Sequence, residues 1–113
     1  MAKFMLLLSG GNFETFSDEQ KQTAYGKYMA WAQLLSQRNQ MIDGSELLRP
    51  GKRIASGGVI SDGPFAESKE AIGGFFLIQA NNLDDAAQIS LGCPSLEFGG
   101  SVEVRQLNER HSA

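Results

Sequence analysis

The stretch that decides the fold is residues 61–70, which read Ser61-Asp62-Gly63-Pro64-Phe65-Ala66-Glu67-Ser68-Lys69-Glu70. Asp-Gly-Pro is a strong turn signal, because Asp bonds its own backbone, Gly admits positive φ and Pro fixes φ and removes a donor. Gly63-Pro64 cannot continue a strand ladder, so Phe65 is expected to leave the sheet and occupy its own pocket. Apolar segments flank the stretch, which is therefore predicted to lie at the rim of a sheet.

Two runs of apolar residues predict the central strands. They are Phe4-Met5-Leu6-Leu7-Leu8, within a strand over 3–9, and Phe75-Phe76-Leu77-Ile78, within a strand over 75–80. Continuous rather than alternating hydrophobicity is typical of strands covered on both faces. A last strand is predicted over 101–107.

Two helices are predicted from their caps. Ser17 and Gln20 form a capping box for a helix over 18–38, and Asn82 caps a shorter helix that Gly92 at C′ and Pro94 bring to an end. Between them, 41–44 is predicted as a turn, while 46–49 and 52–55 are predicted as short strands. Gly57-Gly58 is expected to close a hairpin onto 59–61, and 67–71 to form one helical turn.

This order of elements predicts an α+β fold, a ferredoxin-like βαββαβ plait with an antiparallel sheet and a short hairpin. Two helices cover only one face of such a sheet, yet its central strands are apolar on both faces. A symmetric homodimer with the two sheets face to face resolves this, forming a dimeric α+β barrel. The expected organisation is one domain over 1–107 and a polar tail over 108–113.

Composition excludes several classes of function. The net charge of −3 argues against nucleic-acid binding, and no apolar run is long enough to span a membrane. The single cysteine, Cys93, fits a reducing, cytoplasmic compartment. No G-x-G-x-x-G or Walker pattern points to a nucleotide, and no Cys/His/Asp spacing resembles a metal site, so neither a metal nor another cofactor is predicted.

Asp62 is the leading candidate for catalysis. A carboxylate at a strand end beside an apolar ring has the setting for a raised pKa and for general acid–base work. The structural alternative, which the sequence favours, is that Asp62 caps the Gly63-Pro64 turn through its own backbone.

Five further residues are candidates for ligand binding. Glu67 could pair with Asp62, with Arg49 or Lys69 holding an anionic substrate, although a solvated charge cluster explains Lys69 and Glu70 as well. Phe65, Tyr28 and Trp31 could line a cleft, although core or interface packing accounts for all three rings. Cys93 has no His or basic neighbour in sequence, which argues against a nucleophile.

The central motif resembles the signature of the YCII-related, DGPF-domain family. Residues that carry the resemblance, besides 61–70, are Gly73-Gly74-Phe75-Phe76-Leu77-Ile78, Tyr28-Met29-Ala30-Trp31, Leu47-Leu48-Arg49-Pro50 and Ser101-Val102-Glu103-Val104-Arg105. The resemblance implies a dimeric α+β barrel whose dimer encloses clefts. Most members are small bacterial cytoplasmic proteins of unknown biochemical role.

The resemblance also implies two alternatives for function. Some relatives are domains beside sigma-factor regions, and others resemble cofactor-free isomerases and monooxygenases of the same fold. Shorter relatives carry a His near a pocket Asp, whereas the one histidine of this chain, His111, lies in the tail. The main prediction is therefore a small-molecule-binding dimer with a cleft near the Asp-Gly-Pro-Phe motif, and the alternative is a cofactor-independent enzyme that uses Asp62.

Overall fold

A computed structural model describes residues 1–11, 15–63 and 71–109 of the chain. Its helices and strands follow the order predicted for a ferredoxin-like plait. They are β1 (Ala2–Gly10), α1 (Asp18–Gln37), β2 (Met41–Glu46), β3 (Gly51–Ala55), β4 (Val59–Gly63), β5 (Ile72–Ala80), α2 (Leu83–Ser90), a short 3-10 helix (Pro94–Leu96) and β6 (Gly100–Gln106). The helical turn predicted at 67–71 lies almost wholly outside the described residues.

One four-stranded sheet organises the protomer. Its order is β2-β5-β1-β6, and each neighbouring pair is antiparallel. On β1, Leu6 lies opposite Phe76 of β5 and opposite Val104 of β6. The predicted α+β, ferredoxin-like fold is confirmed.

The core lies on one face of this sheet, between the sheet and the two helices. Phe4, Leu6 and Ile78 are fully buried there, and α1 packs Leu35 onto them. Burying a side chain of this size contributes about 1.5–3 kcal/mol. The other members of the core are Leu8, Trp31, Phe76, Ala80, Ala86 and Cys93.

The opposite face of the sheet, here called the open face, is apolar at its centre. Met5 pairs with Leu77 and Leu7 pairs with Phe75, and all four side chains are half-buried. Neither of the two described helices packs on this face. The alternation of buried and half-buried residues along β1 and β5 therefore leaves a second apolar surface, on the side of the sheet away from the core.

The capping predictions for α1 are confirmed. The Ser17 hydroxyl accepts from the Gln20 backbone N–H at 3.1 Å, and the Gln20 side chain accepts from the Ser17 backbone N–H at 2.8 Å. Asp18 and Glu19 follow in the first turn, where the helix dipole favours negative charge. The helix ends at Gln37, one residue before the predicted end.

The turn predicted over 41–44 is wrong, because these residues belong to β2. The Asp43 carboxylate does bond the Gly44 backbone N–H, at 2.8 Å, but within a strand whose register shifts between Met41 and Asp43. Gly44 lets β2 approach β5 closely, since a Cβ there would lie 2.7 Å from Cδ1 of Phe76. The strand predicted over 46–49 is correspondingly misplaced, because β2 ends at Glu46.

The segment that connects β2 to β5 along the chain forms a separate two-stranded sheet of β3 and β4. Gly57 and Gly58 join β3 to β4 with φ of 89° and 84°, so the predicted hairpin closure is confirmed. Every residue from 45 to 62 is exposed. The radius of gyration, 15.3 Å, exceeds the value of about 13 Å for a compact domain of this length. Residues 47–63 are called the arm below.

Candidate functional site: a groove beside helix α1

A shallow, open groove of about 460 Å³ lies between α1 and the connection from α2 to β6. Helix α1 contributes side chains at positions i, i+3, i+4 and i+7, which share one face of a helix. The lining residues are Lys27, Ala30, Trp31 and Leu34 on α1, and Leu91, Gly92, Cys93, Pro94, Leu96 and Glu97 on the connection. This cavity is called the α1 groove.

Local hydrogen bonds hold the wall of the groove that faces α1. The Asn82 side chain caps α2 by accepting from the Asp85 backbone N–H at 2.8 Å. At the other end, the backbone N–H groups of Gly92 and Cys93 bond the carbonyls of Ile89 and Ser90, at 3.1 and 3.0 Å. Pro94 then begins the 3-10 helix, where its missing N–H costs nothing.

Tyr28 supports this wall from behind the groove. Its hydroxyl lies 2.7 Å from the Ser95 hydroxyl, and its ring stacks on Phe76 with centroids 6.4 Å apart. Burial raises the pKa of Tyr28, an effect that the bond to Ser95 partly opposes. The phenol is therefore neutral at neutral pH, and Tyr28 is a positioning residue rather than part of the groove lining.

Replacing Tyr28 with Phe is expected to lower the free energy of unfolding by about 1 kcal/mol, because Ser95, a residue only 7% exposed, loses its hydrogen bond to the phenol. Urea unfolding followed by circular dichroism measures this. Tyr25→Phe is the matched control: the Tyr25 hydroxyl bonds Glu46 at an exposed site, so a change within about 0.5 kcal/mol is expected. Equal losses in the two variants would contradict the role assigned to Tyr28.

Trp31 forms the floor of the groove, where the absence of a side chain at Gly92 leaves room for the indole. The indole is 8% exposed and meets the Phe76 ring edge-on, with centroids 5.0 Å apart. A Cβ at Gly92 would lie 2.7 Å from Nε1 of Trp31. The φ of Gly92 is not in the left-handed region. This glycine is thus explained by close approach of the indole, and not by the left-handed C′ conformation that helix ends often use.

Cys93 lies in the groove wall as a buried free thiol. Burial raises its pKa, and hydrogen bonding from Ser95 only partly offsets the rise. Because the thiolate is the reactive form, the raised pKa disfavours the nucleophilic role that the sequence also argued against.

Charge at the groove is confined to its rim. Lys27 forms an ion pair with Glu97, and the Lys27 Nζ lies 5.7 Å from the centroid of the Phe98 ring. Both side chains of the pair are about half exposed, so the pair contributes at most about 1 kcal/mol. A pair this weak is open to competition from solvent or from another charged group.

The structure does not bring together all the residues that the sequence proposed for a site. Trp31 lines the α1 groove and Tyr28 lies behind it, whereas Asp62 and Arg49 are exposed on the arm. The Asp62 carboxylate accepts from the Lys52 ammonium at 2.5 Å, across the β3–β4 ladder. Phe65 and Glu67 lie outside the described residues.

Sequence reasoning missed most of the groove. Lys27, Ala30 and Leu34 share a helical face with Trp31, and this 3–4–7 spacing was the signal available in the sequence. The residues after α2 gave no comparable signal, because their position against α1 depends on tertiary packing. Within the described ranges, no group of three or more His, Cys, Asp or Glu side chains could hold a metal ion. None of the described helices is long and apolar enough to cross a membrane.

Comparison with known proteins identifies the family. The YCII-related domain matches residues 6–109, which is nearly the whole chain. The chain belongs to the YCII-related family. The chain is also similar to the uncharacterized protein R00369 of Rhizobium meliloti (strain 1021), with 45% identity over 53 residues, which cover 43% of this chain and 40% of that protein.

A solved structure supports the fold. It is the 5-chloro-2-hydroxyhydroquinone dehydrochlorinase TftG of Burkholderia phenoliruptrix AC1100, in complex with 2,5-dihydroxybenzoquinone. The superposition has a TM-score of 0.53 and covers 93% of each chain, at 14% identity. The YCII-related chain therefore shares the fold of TftG, and an identity of 14% shows nothing beyond the fold.

Proposed function

We propose that this YCII-related protein is a homodimer that binds a small, planar, anionic or aromatic molecule in the α1 groove. The observation that carries the proposal is the composition of the groove: an indole floor, walls of Ala30, Leu34 and Pro94, and the exposed Lys27–Glu97 ion pair at the rim. Binding sites for small molecules combine a mostly apolar lining with a few placed polar groups.

The chemistry of the lining selects the class of ligand. Leucine and alanine side chains favour a flat apolar body, and the indole of Trp31 offers a further apolar surface. The Lys27 ammonium, held beside Glu97, would favour a carboxylate or phenolate at the outer end of the molecule. The 2,5-dihydroxybenzoquinone in the TftG complex belongs to this class and is a suitable probe of it.

The experiment compares binding in a variant that fills the groove. Ala30 is exposed on α1 and lines the groove, so Ala30→Leu should occupy the space without disturbing the core. Calorimetric titration with benzoate and with 2,5-dihydroxybenzoquinone is expected to show saturable binding of at least one probe to the parent. Ala30→Leu is expected to weaken that binding at least about tenfold.

Gln33→Leu is the matched control for this experiment, because it adds the same side chain to an exposed position of α1 outside the groove lining. It is expected to bind like the parent. The site assignment fails if binding survives in Ala30→Leu, and the proposed function fails if neither probe binds to the parent.

The homodimer is proposed from the open face. Its centre is formed by Met5, Leu7, Phe75 and Leu77, which are half-buried in one protomer. An apolar sheet face of this kind marks an interaction site on a soluble protein. Two-fold symmetry would cover the face on both copies at once, without any other partner.

Catalysis without a cofactor, with Asp62 as general acid or base, remains the second candidate. Asp62 lies near the end of β4, on the exposed arm. We place it second because its carboxylate is exposed and paired with Lys52. Turnover of a probe that is lost in Asp62→Asn would favour catalysis over binding alone.

A further inference from the structure

The arm carries apolar side chains that its own protomer leaves in water. Ile54 and Ile60 lie directly opposite each other across the β3–β4 ladder, 69% and 62% exposed. Val59 is 63% exposed, and Leu48, at the base of the arm, is 85% exposed. Large aliphatic residues at such exposures, grouped on one hairpin, indicate a surface that another molecule covers.

The arm also lacks the packing that a hairpin needs. Among the strands of the described residues, β3 and β4 pair only with each other, and an isolated two-stranded hairpin is at best marginally stable in water. The Lys52–Asp62 pair adds little, because both side chains are exposed. Stable pairing of β3 with β4 therefore calls for a surface on which the arm lies.

Charge indicates what that surface is. The arm carries Arg49, Lys52 and Arg53 against Asp62, a net charge of +2. The other described residues carry five basic and nine acidic side chains, a net charge of −4. A basic arm on an acidic body is complementary to a second copy of the same chain, because each copy supplies both charges.

The area of the open face also indicates that the arm contributes to the dimer interface. Four strands of six to nine residues form a face of about 500 Å² per protomer, so two stacked faces bury about 1,000 Å², the lower limit for a specific interface. The sheets alone therefore make a weak dimer. Arms that each cover part of the partner would bring the interface into the range of stable dimers.

We propose that the arm is a dimerisation element: in the homodimer, the arm of each protomer lies on the acidic body of the other, with the Ile54–Ile60 side inward. The inference rests on the homodimer proposed above. It adds an interaction surface that sheet-to-sheet packing does not require, and it places Asp62 at the boundary between two protomers.

The test is the dimer dissociation constant, measured by sedimentation equilibrium over a range of protein concentrations. The double variant Ile54→Ser/Ile60→Ser is expected to raise this constant at least about tenfold while leaving the circular dichroism spectrum unchanged, because both side chains are exposed in the protomer. Lys52→Glu is expected to raise it as well, because Lys52 lies on the same side of the β3–β4 ladder as Ile54. In the double variant, trypsin is expected to cleave after Lys52 and Arg53 faster than in the parent.

Matched controls separate the arm from general surface effects. Met29 on α1 is 69% exposed, like Ile54, and Met29→Ser is expected to leave the dissociation constant unchanged. Arg38→Glu is the control for the charge reversal. If the arm variants dimerise as tightly as the parent, this inference is overturned and the proposed homodimer is not affected. A parent that is a folded monomer at every concentration overturns both.

Discussion

Leu7→Lys is expected to convert the proposed dimer into a folded monomer, raising the dissociation constant at least about a hundredfold. Leu7 lies at the centre of the open face, and two-fold symmetry would bring the introduced ammonium groups of both copies into one apolar interface. Burying an unpaired charge costs several kcal/mol. Light scattering at low concentration measures the result directly.

The protomer should tolerate this change. Leu7 lies directly opposite Glu103 on β6, so the introduced cation gains a carboxylate neighbour in the isolated chain. Met29→Lys, at an exposed position of α1, is the control and should remain a dimer. A Leu7→Lys protein that dimerises as tightly as the parent would show that the sheets do not meet through the open face.

Gly92→Ala is expected to lower the free energy of unfolding by about 1–3 kcal/mol and to weaken binding in the α1 groove. The added Cβ would lie 2.7 Å from Nε1 of Trp31, so the indole or the connection after α2 must move. Overpacking in a close-packed region has a cost of this size. Urea unfolding and the probe titration measure the two effects.

Gly26→Ala supplies the matched control for this substitution. Gly26 is inside α1, and a Cβ there would meet nothing within 4 Å. The same change should therefore stabilise the protein by up to about 1 kcal/mol, since alanine is the better helix former. If both alanines changed stability in the same direction and by the same amount, close approach of Trp31 to Gly92 would not be the reason for that glycine.

Much of the fold was predictable because local chemistry and tertiary structure agree. The apolar runs gave β1 and β5, and the caps at Ser17 and Asn82 gave the starts of both helices. The prediction failed at β2, where Asp43-Gly44 has the chemistry of a turn. Its glycine serves instead a close contact with Phe76, which only the folded sheet creates.

The site was less predictable than the fold. Trp31 was a candidate from its residue type, but the other wall of the groove is brought to it by the packing of α1 against the residues after α2. No local pattern encodes that distance. Asp62 had suitable chemistry in the sequence, yet the arm carries it away from the core of its own protomer. The sequence of residues 61–70 indicated a carboxylate suited to acid–base chemistry, but it did not indicate where in the fold that carboxylate lies.

The indole N–H resonance of Trp31 gives the most direct test of the central claim, that the α1 groove binds a small planar molecule. The chain has one tryptophan, so a proton–nitrogen correlation spectrum contains one indole signal, and it reports on the floor of the groove. Titration with benzoate or 2,5-dihydroxybenzoquinone is predicted to shift this signal and the Gly92 amide along one saturable curve. Saturable shifts confined to other parts of the chain, with both of these signals unmoved, would contradict the account.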